Sequence, residues 1–232
     1  MKKHLQHDLD DLKKDILTMG SLVEESINKA IASLVHRRPE LASEVSAGDE
    51  AIDRKELAIE DKCLKMLALH QPVAGDLRFI IGCIKVNNDL ERMGDHAQAI
   101  AERATYLATH APIEAQIDFQ RMVVKVQSMV KRGLDALVNL DAELARAVSR
   151  EDDEVDAYHK QMFAELQDLM RRDADTVERA VHTLSVVRHL ERIADLATNI
   201  AEDIVFMVEG EVIRHHSTEP SRSTRFPNGR AR

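Results

Sequence analysis

Two stretches decide the fold: NDLERMGDHAQAIAE at residues 88–102 and RHLERIADLATNIAE at residues 188–202. At an offset of 100, Leu90, Glu91, Arg92, Asp95, Ala97, Ile100, Ala101 and Glu102 return unchanged at 190, 191, 192, 195, 197, 200, 201 and 202. Chance supplies about one identity over such a window. Both stretches also carry helical periodicity. At ~100° per residue, Leu90, Met93, Ala97, Ile100, Ala101 and Ala104 form one apolar stripe. Glu91, Asp95, Gln98 and Glu102 form a second stripe roughly 140° away, repeated as Glu191, Asp195, Thr198 and Glu202.

The repeat extends outward from these helices. Asp49-x-x-x-Asp53 is matched at an offset of 103 by Asp152-x-x-x-Asp156, and the three-residue difference predicts a shorter link before the last helix. The first helix is predicted over 4–37, with Leu12, Ile16, Met19, Val23, Ile27, Ala30, Ile31 and Leu34 at helical spacing. Pro39 ends it and opens a second helix reaching Leu69, although Gly48 inside weakens that helix by roughly 1 kcal/mol. A third helix follows Pro72, over 73–110. After Ala111-Pro112 the pattern restarts: a fourth helix over 113–139, and a fifth capped by Asp141 and ending near Arg172. A sixth is opened by a capping box of Asp175 and Glu178 and stopped by Gly210. Long helices joined by short links pack antiparallel. The expectation is an all-α fold of two tandem three-helix bundles, 1–111 and 112–210, with a basic, disordered extension over 211–232.

Composition agrees. Gly 8, Pro 5 and 3% aromatics suit long helices rather than a turn-rich β domain. The longest apolar run, Phe79 to Ile84, is too short to span a bilayer, and the opening residues lack the apolar core of a signal peptide. A net charge of -9 argues against gripping nucleic acid, where affinity comes from neutralising phosphates. Cys63 and Cys83 make neither a disulfide framework nor a zinc site, and read as small buried thiols facing each other across the second helical hairpin. These features point to a soluble, cytosolic protein.

The acids need an explanation. Carboxylates at i and i+4 share a helix face and repel by a few tenths of a kcal/mol per pair. Asp49, Asp53, Glu56 and Glu60 fall within roughly 60° of one another, and similar pairs recur on three other helical segments. One reading is a solvated acidic face. The other is a cation site, in which two helices supply four carboxylates to a hard cation. All-oxygen ligation favours Mg, Mn or iron over structural zinc. His159 and Phe163 stand where Glu56 and Glu60 stand in the first half, so the two sites need not be equivalent. Arg92 and Arg192 read as ion-pair partners of nearby acids, and His96 and His189 as polar surface groups. The chain has no Gly-rich phosphate loop, no His-Glu-x-x-His and no nucleophile elbow. A di-iron bundle would want two Glu-x-x-His motifs; the nearest here is a single Asp156-x-x-His159.

Asp76-Leu77-Arg78 after Gln71-Pro72, then Asp89-Leu90-Glu91-Arg92-Met93-Gly94-Asp95-His96-Ala97, its echo Leu190-Glu191-Arg192-Ile193-Ala194-Asp195, and Met19-Gly20 with Val23-Glu24 resemble the PhoU family. The resemblance covers about residues 4–210 and includes both repeats. It implies two three-helix bundles and Glu/Asp-x-x-x-Asp motifs that bind multinuclear metal clusters. Those motifs fall on Asp49 and Asp53 with Glu91 and Asp95, and on Asp152 and Asp156 with Glu191 and Asp195. It further implies a non-enzymatic, cytoplasmic negative regulator of phosphate uptake and the phosphate-starvation response. Such a protein acts between the ATPase subunit of the phosphate ABC transporter and a phosphate-sensing histidine kinase, and meets the inner membrane only through those partners. Exposed helical faces suit a homodimer. The competing readings are a di-metal carboxylate enzyme or metal store, and a plain acidic scaffold.

Overall fold

A computed structural model of the chain describes residues 2–113 and 119–213. These residues form seven α-helices and one 3-10 turn: α1 Lys2–Val35, α2 Pro39–His70, α3 Ala74–Ala108, α4 Phe119–Asn139, α5 Ala142–Ser149, α6 Asp152–Arg172, the 3-10 turn Ala174–Thr176, and α7 Val177–Glu209. Among the described residues there is no strand, and no helix is long and apolar enough to cross a membrane. Helices α1, α2 and α3 pack on one another; in the second half α4 and α7 pack on each other and on both α5 and α6.

The long helices end where the backbone chemistry requires. Pro39 occupies the first turn of α2, where a missing N–H costs nothing. Gln71 closes α2 in the left-handed conformation (φ 46°), donating its N–H to Leu67 O at 3.3 Å. Gly210 closes α7 in the same way (φ 77°), its N–H 2.9 Å from Phe206 O, as its position predicts. The apolar stripes read from the sequence are buried: Leu12, Ile16, Met19, Val23 and Ile27 on α1, and Leu90, Met93, Ala97 and Ile100 on α3. They belong to one continuous core that runs through both bundles.

The second repeat departs from expectation in three places. The predicted fifth helix is two helices, α5 and α6, broken at Arg150-Glu151. Glu151 is held by Arg132 and, at 3.3 Å, by Lys125 of α4, and the acids Asp152, Asp153 and Glu154 sit in the first turn of α6, where the helix dipole favours negative charge. The expected capping box at Asp175 and Glu178 is not the device that opens α7. Asp173 accepts from the Asp175 N–H at 3.0 Å and caps the 3-10 turn instead. The predicted shorter link before α7 is not seen: Asp173 to Thr176, which include the 3-10 turn, separate α6 from α7, against Gln71 to Val73 between α2 and α3. Asp141 does cap α5, accepting from Leu144 N at 2.9 Å. The predicted start of α4 over 114–118 lies outside the described residues, as does the extension from 214 onward.

Two contacts join the bundles. Helices α3 and α7 run antiparallel along their length: Gly82 lies against Met207, Lys85 meets Asp203 at 3.0 Å, and His96 faces His189. Helices α1 and α4 touch as well, with Gln127 donating to Asn28 at 2.7 Å. At the turn between repeats, the Tyr106 ring is stacked between His110 and His182, with centroids 4.0 and 3.8 Å away. Tyr158, on α6, donates to Glu154 at 3.0 Å.

Glycine substitutions separate helix propensity from packing. A Cβ at Gly48 meets nothing within 4 Å, whereas one at Gly82 would stand 2.4 Å from Met207 Cγ. Gly48→Ala is expected to raise the thermal midpoint through a propensity gain of about 0.5–1 kcal/mol. Gly82→Ala is expected to lower it, since overpacking costs about 1–3 kcal/mol and exceeds the same gain. Thermal unfolding of the two variants, followed by circular dichroism, checks both signs.

Candidate functional site

The carboxylate pairs take their places because each pair sits one helical turn apart, on the margin of a buried stripe. In the second half, α6 offers Asp152 and Asp156, and α7 offers Glu191 and Asp195. Asp156, Glu191 and Asp195 each present an oxygen such that the three lie within 4.8 Å of one another. One Glu191 oxygen, Oε2, is buried and has no hydrogen-bond partner. The other lies 4.0 Å from His159 Nδ1, one turn along α6 from Asp156. Asp152 stands at the margin, its Oδ1 accepting from Thr198 Oγ1 at 3.3 Å.

The electrostatics record the crowding. Burial, then the neighbouring Glu191 and Asp152, push the Asp195 carboxyl up to about 6, against the pull of Arg192. Burial and Asp156 raise Asp152 as well, while its bond from Thr198 works the other way. Arg192 pairs with Asp195 at 3.0 Å and lies 3.6 Å from Glu191, the role its position predicts. The donor set could hold a metal ion: three hard oxygens on two adjacent helices, beside a buried Glu191 oxygen that has no hydrogen-bond partner and only the more distant Arg192 guanidinium near it.

The first half holds its four acids less tightly. Asp49 and Asp53 on α2 face Glu91 and Asp95 on α3 closely enough to perturb one another, but among the described residues no three of them converge as the second-half acids do. Burial, then Asp53, raises Asp95; burial, then Asp95 and Asp53, raises Glu91; burial, then Asp53 and Asp95, raises Asp49. Asp53 and Asp95 are exposed. Arg92 pairs with Asp89, 3.4 Å away, and its charge pulls against the rise of Glu91 and Asp95.

Two histidines and two cysteines complete the account. His96 and His189 are not surface groups: both are partly buried and face each other across α3 and α7, Nδ1 to Nδ1 at 3.3 Å. Burial and the facing His96 push His189 down to about 4, and burial and Arg92 lower His96. Cys63 and Cys83 are free and buried, as expected, and burial pushes the Cys63 thiol up to about 12. His159 is the site neighbour that sequence reading passed over as a ligand; its signal was the place it takes in the repeat, where the first half has Glu56.

Fold and site together define a duplicated three-helix bundle protein that carries a carboxylate cluster between the last two long helices of each half. The family model described as the PhoU domain matches this chain twice, over residues 16–104 and 119–204. The chain belongs to the PhoU family. It is 42% identical over 208 residues to the phosphate-specific transport system accessory protein PhoU homolog of Aquifex aeolicus, covering 90% of this chain and 94% of that one. Against the homolog of the same name from Pseudomonas aeruginosa it is 37% identical, covering 90% and 86%. The crystal structure of PhoU from Pseudomonas aeruginosa superposes with a TM-score of 0.86 at 36% identity, over 89% of this chain and 99% of that one. The phosphate transport system regulatory protein PhoU from Streptococcus pneumoniae gives 0.80 at 31%, over 90% and 99%.

The titrating groups predict an uneven pH response in metal-free protein. The raised Asp195 pKa stabilises the fold fully below the unfolded value of 3.8, and that stabilisation is lost as pH rises through about 6. The depressed His189 pKa acts oppositely: its stabilisation is present above 6.5 and lost as pH falls toward about 4. Asp195→Asn removes the first and keeps the second. Chelator-treated Asp195→Asn is therefore expected to melt above the wild type at pH 7, by on the order of 1 kcal/mol after solvent screening. Its midpoint is expected to fall more steeply than the wild type's between pH 7 and pH 5. Parallel melting curves for the two proteins would contradict this assignment.

Proposed function

We propose that this chain is a non-catalytic regulator of phosphate transport, with metal-bound carboxylate clusters that fix the outer face of its helices. The relatives' names, accessory and regulatory proteins of the phosphate transport system, support the role. The observation that carries the metal reading is the convergence of Asp156, Glu191 and Asp195 around a buried Glu191 oxygen with no hydrogen-bond partner. A cation there neutralises acids that otherwise repel, and so ties α6 to α7. Hard oxygens beside an imidazole suit iron or manganese better than magnesium, which prefers oxygen alone. The looser first-half cluster of Asp49, Asp53, Glu91 and Asp95 is the weaker site in this reading, or one that closes only around the ion.

The finer proposal is an adaptor. The protein stands in the cytoplasm as a homodimer between the ATPase subunit of a phosphate ABC transporter and a phosphate-sensing histidine kinase. It restrains the starvation response when phosphate is plentiful. The helical repeats, 1–111 and 112–210, supply the contact faces, and the clusters set the angle between the helices that bear them.

Two measurements test this reading. Replacing Glu191 and Asp195 together with Ala is expected to lower the metal content of purified protein, by elemental analysis, while the helical circular dichroism spectrum is retained. Unchanged metal content would overturn the ligand assignment. In cells lacking the gene and grown with ample phosphate, a phosphate-starvation reporter is expected to switch on and to be silenced again by the wild-type gene. A silent reporter would remove the negative-regulator reading.

A further inference from the structure

One end of the molecule gathers apolar side chains that the described residues leave uncovered. Leu69, in the last turn of α2, is 76% exposed, and Val73, in the turn that follows, is 75% exposed. Leu77 stands in the first turn of α3, and a Cβ at Gly75 just before it would meet open space. The end of α7 comes to the same place: a Cβ at Gly210 would stand 3.4 Å from the Arg78 guanidinium. Val208 and Val212, on either side of Gly210, are exposed too, Val212 at 69%.

The repeat supplies an internal control. Because α3 and α7 run antiparallel, the hairpin between α6 and α7 lies at the opposite end. There Leu69 becomes Arg172, and the turn Gln71-Pro72-Val73 gives way to Asp173-Ala174-Asp175-Thr176. Leu77 keeps an apolar counterpart in Val177. A helical hairpin of this fold therefore closes without Leu69 and Val73, and their exposure is not a demand of packing.

Charge is sorted toward the same end. Residues 214–232, which follow directly on this patch, hold five arginines against one glutamate, in a chain whose net charge is -9. Acids beside the patch are engaged: Asp8 meets His70 at 2.8 Å, and Arg146 holds Glu209 and lies 3.9 Å from Glu211. Asp76, next to Leu77, stays exposed. The carboxylate clusters stand farther off. Glu91 is fourteen residues from Leu77 along α3, and Asp195 fifteen from Gly210 along α7. At ~1.5 Å per residue that is about 20 Å, beyond the Debye length of ~8 Å at physiological salt.

We propose that this end of the molecule docks directly on an anionic lipid bilayer. Leu69, Val73, Leu77 and Val212 enter the interface, and the arginines of 214–232 meet the phosphate headgroups. Each signal alone gives weak attachment, and the two together give a reversible one; no described helix is long and apolar enough to cross. An end-on contact stands the long helices away from the bilayer and leaves the cluster-bearing grooves free. The contact goes beyond the adaptor reading, in which the membrane is met only through protein partners. It depends neither on that reading nor on metal in either cluster.

The test uses the full chain and vesicles of phosphatidylglycerol and phosphatidylcholine in equal parts, with pure phosphatidylcholine vesicles as the neutral control. The chain has no tryptophan, so one placed at Leu69 reports this end and one at Arg172 the opposite hairpin. Leu69→Trp emission is expected to shift to the blue with anionic vesicles at low salt, and not with neutral ones, while Arg172→Trp emission stays unchanged. In cosedimentation, changing Val73 and Val212 to Gln, or the five arginines of 214–232 to Gln, is expected to weaken binding about tenfold or more. Both variants alter exposed or terminal positions, and their helical circular dichroism is expected to match the wild type. Equal binding to neutral vesicles, an equal shift from Arg172→Trp, or undiminished binding by both variants would overturn the proposal. So would a wild-type chain that leaves anionic vesicles unbound, which would assign the apolar end to a protein partner instead.

Discussion

The packing of α3 against α7 is the contact on which the rest depends. Each helix forms the inner member of its own bundle, and each carries an acidic stripe at an angle to its buried stripe. Once the apolar stripes are committed to the shared core, the acids have one place to go: the grooves toward α2 and α6. The close approach of Gly82 to Met207 and the facing pair His96 and His189 hold the register, and that register also brings Lys85 to Asp203. Carboxylate crowding therefore follows from the packing and is not independent of it.

Much of the fold was legible because helical periodicity is local. Leu90, Met93, Ala97 and Ile100 are spaced for one helix face whatever else the chain does, and they are buried. The duplication then supplied the architecture, since a unit that recurs in one order folds in one way. The α5 and α6 break was illegible for the opposite reason. Gly48 in the first half sits within an unbroken helix, while its counterpart Glu151 marks the break, so propensity pointed the wrong way at both positions. What decides there is tertiary: Arg132 and Lys125 of α4 draw Glu151 out of line. The acid run from Glu151 to Glu154 was the available signal for a helix start.

The candidate site was legible in part. Spacing of four placed each acid pair on one face, and both faces do turn toward their partner helix. Spacing cannot say how near two helices stand, and only the second-half acids come within ligand range of one another. Nor could it foresee His96 and His189, which a single-helix view places at the margin of the apolar stripe and which the second bundle covers. Asp203 and Asn87 escaped notice for the same reason. Each is a buried polar residue with other polar ones beside it, and what it meets comes from a helix distant in sequence: Glu56 O for Asn87 and Lys85 for Asp203.

The aromatic content has a practical consequence. The chain has no tryptophan and two tyrosines, so its intrinsic near-ultraviolet emission comes from Tyr106 and Tyr158 alone. Tyr106 is sandwiched between imidazoles at the turn that joins the repeats, and Tyr158 bonds a carboxylate on the helix that carries Asp152 and Asp156. The molecule thus contains two optical reporters in separate regions, one at the seam and one beside a cluster. Exchanging either for phenylalanine isolates the other, which turns an inconveniently dim protein into one whose halves can be watched separately without a label.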